Sequence, residues 1–257
     1  NTLIEFLDKA MASTAPLSFD FKNSDGESLP WVWGEVSNFG GNTGLRGALS
    51  RFSTMNVIAP EAKEAFRGYA LMSEGLENNP AMYALFERNM MRLPGEAMTD
   101  GEIDAFFNEY FTKRYGMDDE LLQKARSILK RTAWTQHSSA PVQGCVENIL
   151  CAFPSFDLAE GSVSTWGPKM GIDYDPAELQ EVRRLYAEVL ANHPALRNNQ
   201  DFMFDFVEIS LQTLANRARE IIADCAHSAE KRAEFLRLLD RSDAIAAMTP
   251  LRRLDTH

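Results

Sequence analysis

The first 75 residues alternate short apolar runs with turn residues, whereas from about residue 76 the apolar positions recur every three to four residues. In the first texture Thr2–Leu7 (TLIEFL) and Pro30–Val36 (PWVWGEV) read as buried strands, the second introduced by the turn residues Asn23-Ser24-Asp25-Gly26. A loop with two glycines, Ser37–Asn42, comes next. Gly44–Met55 then carries Leu45, Ala48, Leu49 and Phe52 at helical spacing, which predicts a helix, and Gly68–Met72 reads as a further strand. Strand, glycine loop, helix, strand is the order of parallel β/α units, and two or three of them are too few to close a barrel.

The second texture is helical. Thr99 with Glu102 has the spacing of a capping box, opening a helix that carries Ile103, Phe106, Phe107 and Tyr110 and stops at Gly116. Leu121, Leu122, Ala125, Ile128 and Leu129 continue the pattern. Asp175-Pro176 with Glu178 is another helix start, ahead of Leu179, Val182, Leu185, Tyr186 and Val189. Phe204, Val207, Leu211, Leu214, Ala218 and Ile221 predict a long helix with one apolar stripe. These stripes predict a bundle core, with Met90 and Met91 as filler. Ser138–Gly171 is a long connection of the kind that often carries function.

Charge then narrows the partners. With 26 Lys and Arg against 37 Asp and Glu in 257 residues, the net charge is −11 and no basic run occurs. That disfavours nucleic acid and anionic membrane surfaces, which both require clustered positive charge. No apolar run approaches the ~20 residues of a membrane span. Cys145, Cys151 and Cys225 match no zinc spacing and read as structural, while His137, His193, His227 and His257 are scattered with no obvious Asp partner. Neither a metal nor an organic cofactor is expected.

Two places can hold chemistry. Glu74 falls where the strand at 68–72 ends and a helical run begins, the site at which β/α barrels present catalytic groups; the same position suits an acid that complements a helix start. Trp31, Trp33 and Glu35 share one side of a strand. With Asn38 they suit a sugar cleft, since indoles stack on sugar C–H faces and polar groups bind hydroxyls. Equally, the tryptophans suit a core and Glu35 a satisfied acid.

At these residues the sequence resembles a known family. Pro30–Leu49 (PWVWGEVSNFGGNTGLRGAL) and Gly68–Leu85 (GYALMSEGLENNPAMYAL) are similar, in order and separation, to segments of the α-N-acetylglucosaminidase family, glycoside hydrolase family 89. Phe107–Gly116 (FNEYFTKRYG) resembles the family's segment ending in RYG, and Phe204–Ala218 its later helical segment. The resemblance covers roughly residues 2–245.

It implies a mainly α chain: residues 1–75 as the last strands and loops of an incomplete (β/α)₈-like barrel, and 76–257 as an all-helical C-terminal domain that helps wall the cleft. It implies a retaining hydrolase acting on glycans with terminal α-linked N-acetylglucosamine, with Glu74 at the nucleophile's motif position. Trp33 and Asn38, and from the helical domain Trp166 and Tyr174, match cleft-lining positions. The acid/base carboxyl lies on an earlier strand in this family, so the chain looks truncated and is expected to lack turnover by itself. Glu35 is the nearest substitute, though its position does not match. The resemblance suggests a secreted, periplasmic or lysosomal setting, and open sheet edges would favour self-association. The alternative is a non-catalytic helical module that binds a carbohydrate or a protein.

Overall fold

The computed structural model describes residues 3–6, 22–37, 44, 45, 47, 49–73, 79–135, 172 and 174–250, with residues 3–6, 36 and 37 as backbone alone. Three strands, β1 (Leu3–Phe6), β2 (Trp31–Ser37) and β3 (Phe66–Ser73), form an all-parallel sheet in chain order. Parallel neighbours need a crossover, and between β2 and β3 it contains α1 (Leu49–Thr54) and α2 (Pro60–Lys63). The predicted turn before β2 forms as read: Asn23 Oδ1 accepts from the backbone N–H groups of Asp25 and Glu27.

The helix expected over 44–55 begins only at Leu49. Long-range partners take the backbone donors of the preceding stretch. Leu45 N–H donates to the Gln212 side chain, Gly47 N–H to Ala133 O at 2.8 Å and Leu49 N–H to Trp134 O at 3.1 Å. A buried amide needs one good acceptor, and here those acceptors lie far along the chain. Gly47 is required by space: a Cβ there would sit 2.6 Å from Trp134 Cα and 2.8 Å from Trp134 O.

Helix α3 (Pro80–Met90) buries Met82, Leu85 and Phe86, while Met90 and Met91, expected as core filler, lie at its open end and Met91 is 78% exposed. A buried polar tie fastens this layer. Asn56 Nδ2 donates to Asn89 O and Oδ1, Asn89 Nδ2 to Phe52 O, and the Tyr69 hydroxyl to Asn56 Oδ1.

Helix α4 (Asp100–Tyr115) opens on both halves of the capping box, Thr99 Oγ1 accepting from Glu102 N–H and Glu102 from Thr99 N–H, and Gly116 ends it in the left-handed region. Asp119 caps α5 (Glu120–Arg131), Asp175 caps α6 (Pro176–Asn192), Asn199 caps α7 (Gln200–Cys225) and Ser228 caps α8 (Ala229–Ala246). A short 3₁₀ turn, Pro194–Asn198, joins α6 to α7. Helix α5 packs on α6, α6 on α7 and α7 on α8. One apolar core runs unbroken from Trp31 in the sheet through Phe107, Phe111 and Trp134 to Tyr186, Phe202 and Ile209. Among the described residues no helix is long and apolar enough to cross a membrane.

Candidate functional site

The C-terminal ends of β2 and β3 lie at Ser37 and Ser73, so Asn38 and Glu74 are the next residues in sequence. Asn38, Glu74 and Trp166 themselves lie outside the described residues, as do Cys145 and Cys151.

Trp33 is a packing residue, 3% exposed, with Phe86 stacked at 6.2 Å and Tyr69 edge-on at 6.2 Å. Burial pushes the Tyr69 hydroxyl up to about 12, which keeps it a neutral donor to Asn56. Glu35, also buried, accepts from Arg51 Nη1 through both oxygens, at 2.6 and 2.8 Å. The pair ties β2 to α1. At these positions the packed arrangement that the sequence left open is the one present.

The third predicted residue in view, Tyr174, is half-buried and belongs to a polar seam along α7. Asp205, Glu208, Gln212, Asn216 and Arg219 recur at steps of three, four, four and three, which is one helix face. Glu208, Gln212 and Asn216 are buried, whereas the expected apolar positions Leu211 and Leu214 are only partly so. The buried face is therefore partly polar, and its cost is met by hydrogen bonds. Gln212 Oε1 accepts from Leu45 N–H at 2.8 Å, Gln212 Nε2 donates to Asn216 Oδ1 at 3.0 Å, and Asn216 Nδ2 donates to Tyr174 Oη at 3.2 Å.

At the N-terminal end of the seam, Asp205 joins α7 to the Arg114-Tyr115-Gly116 segment. Arg114 Nε and Nη2 donate to its two oxygens at 2.8 and 3.1 Å, and the Tyr115 hydroxyl donates to Oδ2 at 2.7 Å. Tyr115 and Tyr186 share a hydroxyl–hydroxyl bond of 2.9 Å, and Asn199 Nδ2 donates to the carbonyls of Arg114 and Tyr115. Burial pushes the Asp205 carboxyl up, against the downward pull of Arg114 and Tyr115, and pushes the Tyr115 hydroxyl well up. The RYG resemblance thus marks a junction between α4 and α7.

Beside the seam, Asn79, Tyr186, Asp205 and Glu208 share a small cavity whose lining is mostly apolar and includes Leu45, Phe111 and Trp134. Asn79, buried at the start of α3, holds φ 50° and ψ 45° ahead of Pro80, a left-handed conformation that asparagine tolerates better than most residues. Its Nδ2 lies 3.4 Å from Gly44 O, and its Oδ1 has no partner among the described residues.

No group of three His, Cys, Asp or Glu able to hold a metal occurs among the described residues. His193, read as lacking an Asp partner, has one: its Nε2 is 3.3 Å from Asp119 Oδ2, joining α6 to the cap of α5. Cys225 is buried and unbridged. Sequence reasoning missed Asn79, Gln212 and Asn216. The signal for the last two was present, as a polar row at helical spacing inside an apolar helix; Asn79 stands five residues after Glu74, in the motif that carried the resemblance.

Comparison with known proteins bears on this arrangement. The family model for the alpha-N-acetylglucosaminidase C-terminal domain matches residues 106–256, more than half the chain, and the model for the tim-barrel domain matches residues 10–92. Human alpha-N-acetylglucosaminidase is 26% identical over 193 residues, covering 73% of this chain and 23% of the relative. The family 89 glycoside hydrolase of Clostridium perfringens, solved with 2-acetamido-1,2-dideoxynojirmycin, superposes with TM-score 0.67 and 26% identity over 85% of this chain and 24% of its own. A variant of that enzyme with two glutamates changed to glutamine, solved with its substrate GlcNAc-alpha-1,4-galactose, gives 0.63 and 25% over 86% of this chain and 23% of its own. The chain therefore spans about a quarter of the length of these relatives.

Proposed function

This chain belongs to the α-N-acetylglucosaminidase family, and on that premise we propose that it is the part of a retaining glycoside hydrolase that carries the nucleophile, Glu74, for removal of terminal α-linked N-acetylglucosamine. In this role the Glu74 carboxylate attacks the anomeric carbon as a second carboxylic acid protonates the departing oxygen. The glycosyl-enzyme is then released by a water that the same second group deprotonates. The two carboxyls of such a pair stand about 5 Å apart.

The observation that supports the reading best is the parallel sheet. Strand β3 runs parallel to β2 and ends at Ser73, so the next residue follows a C-terminal strand end, where β/α barrels carry catalytic groups. Glu35 is a poor acid/base, since both its oxygens accept from Arg51; the second carboxyl is assigned to an earlier barrel strand, as the family resemblance implies. In this reading residues 1–75 bring the strand ends and 76–257 the helical wall. Asn38, Trp166 and Tyr174 face the sugar, and Trp33 supports β2 from beneath.

The test uses the intact protein that contains this chain. Glu74→Gln keeps the side chain's shape but removes the nucleophile, so hydrolysis of an aryl α-N-acetylglucosaminide falls below detection and a mechanism-based glycosyl donor no longer labels the protein. Activity equal to the unmutated enzyme overturns the assignment.

A further inference from the structure

The polar seam of α7 links two segments that the proposed function needs in fixed relation. Three hydrogen bonds run in series with every donor pointing the same way: Leu45 N–H to Gln212, the Gln212 amide to Asn216, and the Asn216 amide to Tyr174. Each carboxamide accepts on one side and donates on the other, and bonds in such a chain polarise one another. Gln212 and Asn216 are each 2% exposed, so bulk water cannot take their places. Leu45 lies within the glycine-rich motif after β2, and on that same stretch Gly44 O lies 3.4 Å from Nδ2 of Asn79, the motif residue that follows β3.

From this geometry we infer that Gln212 and Asn216 are positioning residues, fixing the Tyr174 hydroxyl relative to the motif stretch at Gly44–Leu45. The inference rests on the function proposed above, and neither residue need touch the sugar. A purely structural role has a different signature. Loss of folded protein lowers apparent kcat and leaves KM alone, whereas a misplaced binding group raises KM.

The experiment compares Gln212→Met and Asn216→Leu with unmutated protein, each in the intact enzyme, using an aryl α-N-acetylglucosaminide and hydrogen exchange at the Leu45 amide. Each variant is expected to raise KM about fivefold, the worth of one buried hydrogen bond, with kcat within about twofold. The double variant stays well short of the ~25-fold product, because both residues serve one chain. Gln212→Met also speeds Leu45 amide exchange about fivefold. Glu220→Gly, on the exposed face of α7, loses stability but keeps its KM. Unchanged KM in both variants, or a fall in kcat alone, overturns the inference. If the unmutated protein hydrolyses no such substrate, the catalytic reading fails by itself, and Leu45 exchange decides the positioning: unchanged exchange in Gln212→Met overturns it.

Discussion

Substitution of Gly47 by alanine tests whether the junction between sheet and helices is as tight as it looks. The added methyl would lie 2.6 Å from Trp134 Cα, 2.8 Å from Trp134 O and 2.9 Å from Met82 Sδ. Carbon atoms settle at about 3.5–4.0 Å, so close to 1 Å of room is lacking, and two of the three neighbours are backbone atoms that no rotamer change can move. The strands of chain must part. Parting stretches the Gly47 N–H bond to Ala133 O and the Leu49 N–H bond to Trp134 O, each worth about 1 kcal/mol. Overpacking adds about 1–3 kcal/mol, while the stiffer unfolded chain returns about 0.4–1 kcal/mol. The net loss is about 2–4 kcal/mol, which for a chain of this size lowers Tm by roughly 5–15 °C. Thermal unfolding followed by circular dichroism measures it. Gly101→Ala is the control: in the first turn of α4, nothing lies within 4 Å of the new methyl, and the same change raises stability by about 0.4–1 kcal/mol. A Gly47→Ala protein as stable as the original would refute the close approach.

Two further outcomes follow from the ion pairs. Arg114→Ala leaves the largely buried Asp205 carboxylate without its guanidinium and costs about 3 kcal/mol; adding Asp205→Asn, which removes the stranded charge, recovers part of that, and a loss under about 1 kcal/mol in urea titrations contradicts a largely desolvated pair. On acidification, Arg184 and then Lys124 hold the Glu181 carboxyl down to about 2, and the Thr99 backbone N–H holds Glu102 below the usual range. Because these carboxyls are depressed in the folded state, the unfolded chain takes up protons first. Their contribution is present above the unfolded value of 4.5 and is lost as pH falls from there through about 2. Tm should therefore drop across that window, less steeply in Glu181→Gln and in 1 M salt; a Tm that rises on acidification contradicts the sign.

What the sequence revealed was local. Thr99 with Glu102, Gly116 and Asp175-Pro176 act within one helical turn, and each forms as read. The helix expected from Gly44 failed because its amides are claimed by Ala133, Trp134 and Gln212, residues that no window of periodicity can contain. Glu35 with Arg51 and His193 with Asp119 escaped for the same reason, since pairing across a fold depends on topology. On α7 the stripe holds at Phe204, Val207, Ala218 and Ile221, but Leu211 and Leu214 yield burial to Gln212 and Asn216, because apolar character was the only property counted. The position proposed for the nucleophile rests on motif order alone, because Glu74 lies outside the described residues. The seam that surrounds Tyr174 required the fold.

The bond between Leu45 and Gln212 spans 167 residues of chain. A ribosome adding roughly 5–20 residues per second delivers the acceptor about 8–33 s after the donor. Through that interval the stretch after β2 must form without the partner that finally holds it, exposed to chaperones and to competing contacts. Synthesis of α7 is thus the event that completes a loop made long before, and conditions that stall translation between the two ends would prolong its unfinished state.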